Sequence, residues 1–271
     1  MFFAKTPISP LKPINIVESV KIEGINPFFQ SRREISHIIR LGLPDTFFRR
    51  RWEHVDLYCS GCTSVEKKKI VEASAVAQFK TPVTVESNLL GAARGLLGKK
   101  SGIVSILDSG SSSCQYDGNG IEKQVSSLGF ILGDEGSGAA LGRILLSDCL
   151  KDVAPKEISD LFYDKYKLTT DEIMDEVYTT NATNKWLSKY ASFLSEHIDN
   201  EYVNALVRGE LKRFFVRNIL QYDYEKYPVS FVGEIACMYE KELKEVAAEL
   251  GVSVDSIEKN ALPGLVKYHT I

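Results

Sequence analysis

The sequence predicts an α/β protein with two lobes, of which the second is rich in helices. Predicted strands alternate with predicted helices from residue 55 to residue 107, which is typical of an α/β layer. From Leu141 onward the pattern becomes mainly helical. The chain has 271 residues, a length at which one domain usually becomes two, so two lobes are expected.

The first half of the chain carries most of the predicted strands. Residues 2–4 and 14–22 have strand character, although the prolines between them each remove a hydrogen-bond donor. Periodicity, caps and turn residues then predict a helix over 31–42, a strand over 55–59, a helix over 64–76 that Ser64 opens, a strand over 82–86, a helix over 89–97 that Gly98 ends, a strand over 103–107, a turn over 109–113, and a hairpin of 113–116 with 122–125.

The second half is predicted to consist mainly of helices. They cover 141–150, 156–164, 170–178, 183–198, 200–222 and, after a strand over 229–232, 236–250. Gly251 ends the last of these, and residues 252–257 and 262–266 close the chain.

Composition excludes several classes of function. The chain is 44% hydrophobic and 25% charged, as ordinary globular proteins are, and no apolar run approaches the roughly 18 residues that a membrane span needs. No basic leader precedes an apolar stretch at the start, so a cytoplasmic location is expected. The net charge of -3 argues against a nucleic-acid partner, and Lys67–Lys69 are interpreted as a solvated helix face.

The five cysteines are predicted to be free thiols in a reducing compartment, because their number is odd and their spacing is not that of a disulfide framework. Cys59 and Cys62 form a single C-x-x-C. A metal site there is the less favoured alternative, since neither a second pair nor a histidine lies near in sequence.

Residues 129–142 form a glycine-dense segment that carries two adjacent acids, Asp134 and Glu135. Its glycines, at 133, 136, 138 and 142, predict backbone amides that a sugar or a phosphate can approach closely. The acids would accept hydrogen bonds from sugar hydroxyls. The following apolar run predicts a helix whose N-terminus adds positive charge to the site. A plain glycine-rich turn before a helix is the alternative.

Several segments, in the same order, resemble one known family. They are GINPFF at 24–29, YCSGCTS at 58–64, VESNLLGAAR at 85–94, ILDSGSSS at 106–113, GDEGSG at 133–138, VGEIA at 232–236 and GLVKYH at 264–269. They resemble segments of the N-acetylglucosamine kinase and BadF/BadG/BcrA/BcrD-type ATPase family, within the actin-like ATPase superfamily. The resemblance begins at about residue 22, so the first 21 residues are either a divergent start or misread sequence.

The resemblance implies a two-lobed actin-like ATPase fold of the ribonuclease H-like type. The first lobe would cover 1–108 with an atypical opening hairpin, the second 109–260 with a helical insertion, and a helix over 261–271 would pack back on the first lobe. The implied activity is transfer of the γ-phosphoryl group of ATP, with Mg²⁺, to a hydroxyl of N-acetylglucosamine or a related amino sugar. A homodimer is left open.

The resemblance also implies roles for individual residues. Asn26 and Asp134, with Glu135 beside it, would bind the sugar. The turn of Ser109, Gly110 and Ser111 would contact the phosphates, and Gly233 would admit the adenine base. Asn26 before Pro27 could equally be a turn residue. Tyr268 and His269 are interpreted as packing residues.

Three positions depart from the family pattern. Asn88 stands where the family has its proton-accepting aspartate, and an amide is not a base; helix capping is its alternative role. Glu86 or Asp134 could replace the missing base. Asp108 replaces a glycine beside the phosphates, and the turn after the first strand, at residues 5–10, lacks the acid that would hold Mg²⁺.

Whether this chain is an enzyme is therefore left open among three hypotheses. The first is an amino sugar kinase with a repositioned base, and the second is a noncatalytic descendant that binds sugar or nucleotide as a sensor or partner protein. The third, ranked last, is a reductase-activating ATPase with an iron–sulfur cluster between subunits, which needs exposed cysteines.

Overall fold

The computed structural model describes residues 2–5 (backbone only), 20, 22–50, 52–180 and 182–270. These residues form two compact units. Unit 1 runs to Gly95 and also includes the end of the chain from Leu262, whereas unit 2 is Leu96–Ala261. The predicted strand over 14–22 lies almost wholly outside the described residues.

Most of the predicted strands and helices are present, and two short helices, Asp45–Arg49 and Gly129–Leu132, were not predicted. The strands are β1 (Phe2–Lys5), β2 (His54–Cys59), β3 (Val83–Ser87), β4 (Gly102–Leu107), β5 (Ser111–Tyr116), β6 (Ile121–Val125), β7 (Val229–Val232) and β8 (Val254–Glu258). The helices are α1 (Arg32–Gly42), α2 (Asp45–Arg49), α3 (Val65–Phe79), α4 (Asn88–Leu97), α5 (Gly129–Leu132), α6 (Gly138–Leu150), α7 (Lys156–Tyr166), α8 (Thr170–Thr179), α9 (Thr183–Ser188), α10 (Ala191–Glu196), α11 (Glu201–Arg217), α12 (Glu234–Met238), α13 (Glu240–Glu249) and α14 (Leu262–Tyr268).

Unit 1 contains a sheet in the order β1-β2-β3. β1 pairs antiparallel with β2, whereas β2 and β3 are parallel, in register from Val55 opposite Val83 to Cys59 opposite Ser87. Parallel neighbours need a crossover, and α3 supplies it. α1 and α3 bury apolar side chains on the same core as the sheet, among them Ile35, Ile39, Val71, Val55 and Leu57. The α/β class is therefore built from the predicted alternation.

Unit 2 contains a sheet in the order β6-β5-β4-β7-β8. β4, β5 and β6 are antiparallel neighbours, and β7 and β8 continue the sheet in parallel from β4. The resemblance assigns residues up to 108 to the first lobe. In the structure β4 lies in unit 2, because it pairs with β5 on one side and with β7 on the other.

Three helices predicted as single are interrupted. The predicted helix over 200–222 is α11 up to Arg217, followed by a separate 3₁₀ helix over Ile219–Gln221. The predicted helix over 183–198 is divided into α9 and α10 at Tyr190, and that over 236–250 into α12 and α13 at Tyr239. Both tyrosines are buried. The Tyr239 hydroxyl donates to the Ala191 carbonyl, and the Tyr190 ring packs on Phe162 and Trp186. Tertiary packing of these rings, which has no period along the chain, sets the breaks at the two tyrosines.

The loop after β2 contains a disulfide between Cys59 and Cys62, whose Cα atoms are 6.0 Å apart. The prediction of five free thiols is therefore wrong for these two residues. The turn at Gly61, with φ +72°, folds the short loop back so that the two buried sulfurs meet. Cys114, Cys149 and Cys237 are free.

Neither a metal cluster nor a bilayer-spanning helix occurs in the described part of the chain. No group of three or more His, Cys, Asp or Glu side chains there is arranged to hold a metal ion. None of the described helices combines the length and the apolar character that crossing a bilayer requires.

The disulfide makes a prediction about thiol counts. Alkylation of the unfolded protein without reductant should modify three cysteines, and prior reduction with a dithiol should raise the count to five, as read from the intact mass. The Cys59→Ser/Cys62→Ser variant should give three under both conditions and should be less stable by about 2 kcal/mol, the loop-closure term for so short a loop. Five modified cysteines without reductant would contradict the disulfide.

Candidate functional site

The turn over residues 108–111, between β4 and β5, is held by main-chain hydrogen bonds. The Asp108 amide donates to the Gly110 carbonyl (3.0 Å), and the first two amides of α6, those of Gly138 and Ala139, donate to the carbonyls of Asp108 (2.9 Å) and Ser109 (3.2 Å). The start of α6 is thus fixed on this turn. These two amides are satisfied by the protein itself, so the expected positive helix end does not present them to a ligand.

Asp134 brings its carboxylate to the same turn. Its Oδ1 accepts a hydrogen bond from the Ser111 amide at 3.1 Å, and the residue is buried. A Cβ atom at Gly110 would lie 3.0 Å from Asp134 Oδ2, so the glycine makes room for the carboxylate. The structure therefore brings together Gly110, Ser111 and Asp134, which the sequence predicted from two separate motifs.

The environment of Asp134 changes its acidity. Burial, opposed by the hydrogen bond from the Ser111 amide and aided by the negative charge of Glu135, raises the pKa of the Asp134 carboxyl to about 6. A carboxyl group that titrates near 6 is ionised at neutral pH and accepts a proton more readily than an ordinary aspartate. Asp134 is therefore equipped for proton transfer as well as for hydrogen bonding.

Glu135 is paired with a residue of the protein. Its Oε1 forms an ion pair with Nε of Arg217, in the last turn of α11. The Glu135 side chain is 10% exposed and that of Arg217 is 57% exposed. The carboxylate that the sequence assigned to sugar hydroxyls thus has a cationic partner, a contact between segments 82 residues apart in sequence that the motif does not reveal.

Packing accounts for the four glycines of the segment. A Cβ atom at each would meet protein atoms: 1.9 Å from the Ser127 carbonyl oxygen for Gly133, 2.9 Å from Phe214 Cβ for Gly136, 2.1 Å from Ser188 Oγ for Gly138 and 2.0 Å from the Leu187 carbonyl oxygen for Gly142. The expectation that these glycines leave the backbone open to a ligand is wrong. They allow α6 and the loop before it to approach α9 and α11 closely.

Gly233 lies at the end of β7, beside the same turn. Its φ is +130°, and a Cβ atom there would lie 2.1 Å from the Leu107 carbonyl oxygen and 3.3 Å from the Asp108 amide nitrogen. Close approach of two backbones explains the glycine. The next residue, Glu234, is exposed, and its Oε1 lies 3.8 Å from Lys259 Nζ.

In unit 1, Asn88 is the first residue of α4, directly after β3. Ser87, not Asn88, caps the helix, because its Oγ accepts from the Leu90 amide at 3.2 Å. The capping alternative for Asn88 is therefore wrong. Glu86 forms an ion pair with Lys68, and the chain does not stay extended between 86 and 88 as a replacement by Glu86 requires. These contacts do not favour Glu86 as the base.

Asn26 forms a closed turn. The Asn26 side-chain oxygen Oδ1 accepts from the Phe28 backbone amide at 3.0 Å, and the Asn26 backbone amide donates to Gln30 Oε1 at 2.8 Å. A Cβ atom at Gly61 would lie 2.2 Å from Asn26 Oδ1, so this turn rests on the disulfide loop. The turn role left open in the sequence is therefore present.

Tyr58 and His269 form a hydrogen-bonded network that sequence reasoning missed. The Tyr58 hydroxyl lies 2.8 Å from His269 Nε2 and accepts from Arg94 at 2.9 Å, while His269 Nδ1 lies 3.5 Å from Asp56. Gly91 makes room for the Tyr58 ring. A signal was present, because Gly91, Arg94 and His269 all lie in segments that resemble the family.

Comparison of the whole chain with solved structures identifies its family. The chain superposes on a provisionally assigned N-acetylglucosamine kinase from Porphyromonas gingivalis with a TM-score of 0.86 and 35% identity, over 91% of this chain and 88% of that chain. A provisionally assigned N-acetylglucosamine kinase from Chromobacterium violaceum shares the fold, with a TM-score of 0.58 and 16% identity over 76% of this chain and 72% of that one. No protein-family model matches the sequence, and no curated protein does.

The chain belongs to the N-acetylglucosamine kinase-like family. The identity of 35% over nearly the whole of both chains shows this membership, which confirms the predicted family and the predicted fold class. The protein has a sugar kinase-like fold.

The raised pKa of Asp134 makes a prediction about stability and pH. The unfolded chain ionises this carboxyl near pH 4 and the folded protein near pH 6, so stability falls as pH rises between these values. Asp134→Asn removes the free-energy cost of ionising this buried carboxyl and keeps a side-chain oxygen that can accept from the Ser111 amide. This variant should therefore be more stable than the parent at pH 7, by about 3 kcal/mol, and no more stable below pH 4 on this account.

Chemical denaturation between pH 3.5 and 8 measures this difference. Asp152→Asn is the matched control, because Asp152 has nearly the same φ, +55° against +56° for Asp134, but is exposed. Any stability gained by Asp152→Asn reports only the tolerance of asparagine for a left-handed backbone. An Asp134→Asn difference that does not change between pH 4 and pH 7 would contradict the raised pKa.

Proposed function

We propose that this protein is an ATP-dependent amino sugar kinase that phosphorylates N-acetylglucosamine or a related amino sugar. The observation that carries the proposal is the buried Asp134 carboxylate, hydrogen-bonded to the Ser111 amide of the 108–111 turn. It unites the residue assigned to the sugar with the turn assigned to the phosphates. The 35% identical relative is itself a provisionally assigned N-acetylglucosamine kinase, which supports the same substrate.

In the proposed reaction a sugar hydroxyl, the 6-hydroxyl by resemblance, attacks the γ-phosphorus of ATP. The new P–O bond forms as the bond from the γ-phosphorus to the bridging oxygen breaks, and ADP leaves. Asp134 takes the hydroxyl proton and later releases it to water. The raised pKa of Asp134, about 6, suits this role at neutral pH, and the role compensates for Asn88 in the family's base position.

The other binding roles are proposals of the same kind. The phosphates are contacted by Ser109, Gly110 and Ser111, and the adenine lies at Gly233. Asn26 contributes to sugar binding through its side-chain nitrogen Nδ2, because its Oδ1 already accepts from the Phe28 amide. Mg²⁺ accompanies ATP in such reactions. The described residues offer no cluster suited to a metal ion, and Asp108 alone stands exposed at the turn, so we derive no step through the metal.

The alternative is a noncatalytic descendant that binds an amino sugar or a nucleotide. The observation that favours it lies at the base position, where Asn88 replaces the acid and the nearby Glu86 is held by Lys68. A cytoplasmic location and a place among the BadF-type ATPases are further proposals that rest on the resemblance. A homodimer stays an open proposal.

The direct test incubates the protein with ATP, Mg²⁺ and N-acetylglucosamine and identifies the product by mass spectrometry. Glucose and N-acetylmannosamine serve as comparators. Phosphorylated sugar is expected, its formation should decline as pH falls below about 6, and Asp134→Ala should abolish it. Sugar binding without any product would support the noncatalytic alternative instead.

Asn88→Asp gives a second prediction, because it restores the acid at the base position. Loss of a general base typically costs about 10²- to 10⁴-fold in rate, and we expect Asp134 to offset only part of that loss, so turnover should rise by about tenfold. The matched control is Asn88→Ala, which changes the same side chain without adding a base and should give no gain. Equal turnover in both variants would show that position 88 does not limit the reaction.

A further inference from the structure

The loop that carries Asp134 is held in an unfavourable backbone conformation. Asp134 has φ +56°, a left-handed conformation that costs a residue with a side chain free energy. Two main-chain bonds close the loop around it: the Asp134 amide donates to the Ser127 carbonyl at 3.2 Å, and the Ser137 amide donates to the Asp134 carbonyl at 3.1 Å. Neither of these two bonds involves Glu135, so neither holds this residue against α11.

Helix α11 supplies that missing support. A Cβ atom at Gly136 would lie 2.9 Å from Phe214 Cβ, so this part of the loop rests directly on the helix. Arg217 lies three residues after Phe214, on the same face of α11, and forms the ion pair with Glu135. Phe214 is buried, whereas the Arg217 side chain is 57% exposed, so the arginine contributes a charge and little apolar packing.

The ion pair also solves an electrostatic problem. Asp134 and Glu135 are adjacent carboxylates that are both buried, and a buried charge without a partner is costly. Arg217 neutralises the second carboxylate and leaves the first one to the Ser111 amide. Without Arg217, the Glu135 charge would act on Asp134 without compensation.

We propose that Arg217 is a positioning residue for phosphoryl transfer. Through Glu135 it holds the Asp134 carboxyl against the 108–111 turn and offsets the negative charge beside it. This inference rests on the proposed function, because it assigns Arg217 to the same site. It adds a residue outside every segment that resembles the family.

The charged groups around Asp134 determine the expected signs. Glu135 adjoins it in the loop, Asp108 stands on the turn, and α11 carries Glu210, Arg213 and Arg217; Glu210 is itself paired with Arg213. Removing the Arg217 cation should therefore raise the pKa of Asp134 above its value in the parent protein. Removing the Glu135 charge should lower it. A neutral residue at position 135 no longer holds the exposed Arg217 side chain near Asp134, so removing Arg217 as well should have little further effect.

The experiment measures the ionisation of Asp134 without sugar or ATP. The stability difference between each protein and its Asp134→Asn derivative is followed from pH 3.5 to 9, and the midpoint of its change reports Asp134. Arg217→Gln should move the midpoint to higher pH, Glu135→Gln should move it to lower pH, and the double variant should match Glu135→Gln. Arg217→Lys, which keeps the charge, should stay near the parent.

Lys212→Gln is the matched control, since it removes an exposed positive charge from the same helix and should leave the midpoint unchanged. An unchanged midpoint in Arg217→Gln, or an equal shift in Lys212→Gln, would overturn the inference. If Arg217→Gln does not fold, Arg217→Lys and Glu135→Gln still decide the matter, and an unchanged midpoint in Glu135→Gln would then overturn it.

Kinetics separate this inference from the proposed function. In Arg217→Gln kcat should fall about tenfold even well above the midpoint, because Asp134 is no longer held in position for proton transfer, whereas Arg217→Lys should keep most of it. Midpoint shifts without phosphorylation by the parent protein would overturn the kinase function and would support only the effect of Arg217 on the position and ionisation of Asp134.

Discussion

The hydrogen bonds at the 108–111 turn are the constraint on which the rest of the site in unit 2 depends. The amides that begin α6 bind the carbonyls of Asp108 and Ser109, and the Ser111 amide binds the Asp134 carboxylate. One short turn thereby fixes the direction of a helix, the position of an acid and the end of the neighbouring strand at Gly233. Because buried amides and carbonyls must be paired, none of these groups can move alone without leaving a partner unsatisfied.

This constraint changes the meaning of the glycine-rich motif. The glycines are required where α6 and its preceding loop pass other parts of unit 2 at distances that exclude a side chain. What the motif delivers to the site is one buried carboxylate in a strained conformation, with a raised pKa. The surrounding contacts offset the free-energy cost of burying this carboxylate. Such conflicts between local preference and tertiary structure are characteristic of functional positions.

Unit 1 shows the opposite relation between motif and chemistry. Arg94 and Gly91 of α4 support Tyr58, which in turn contacts His269 at the end of the chain, and a Cβ atom at Gly264 would lie 1.8 Å from the Gly95 carbonyl oxygen. These contacts join α4 to α14. Packing and hydrogen bonds within unit 1 therefore account for Gly91, Arg94, Gly264 and His269 without any role in a reaction.

The sequence by itself determined the α/β class, most element boundaries and the motifs from which Gly110, Ser111 and Asp134 were predicted, because periodicity and capping act within a few residues of the chain. Only the tertiary structure decided the breaks at Tyr190 and Tyr239, the Cys59–Cys62 disulfide, the pairing of Glu135 with Arg217 and the replacement of Asn88 by Ser87 as helix cap. The helix breaks depend on the packing of buried rings, and the disulfide depends on a reversal of the chain. The ion pair joins segments far apart in sequence. The acidity of Asp134 follows from burial, which no local pattern records.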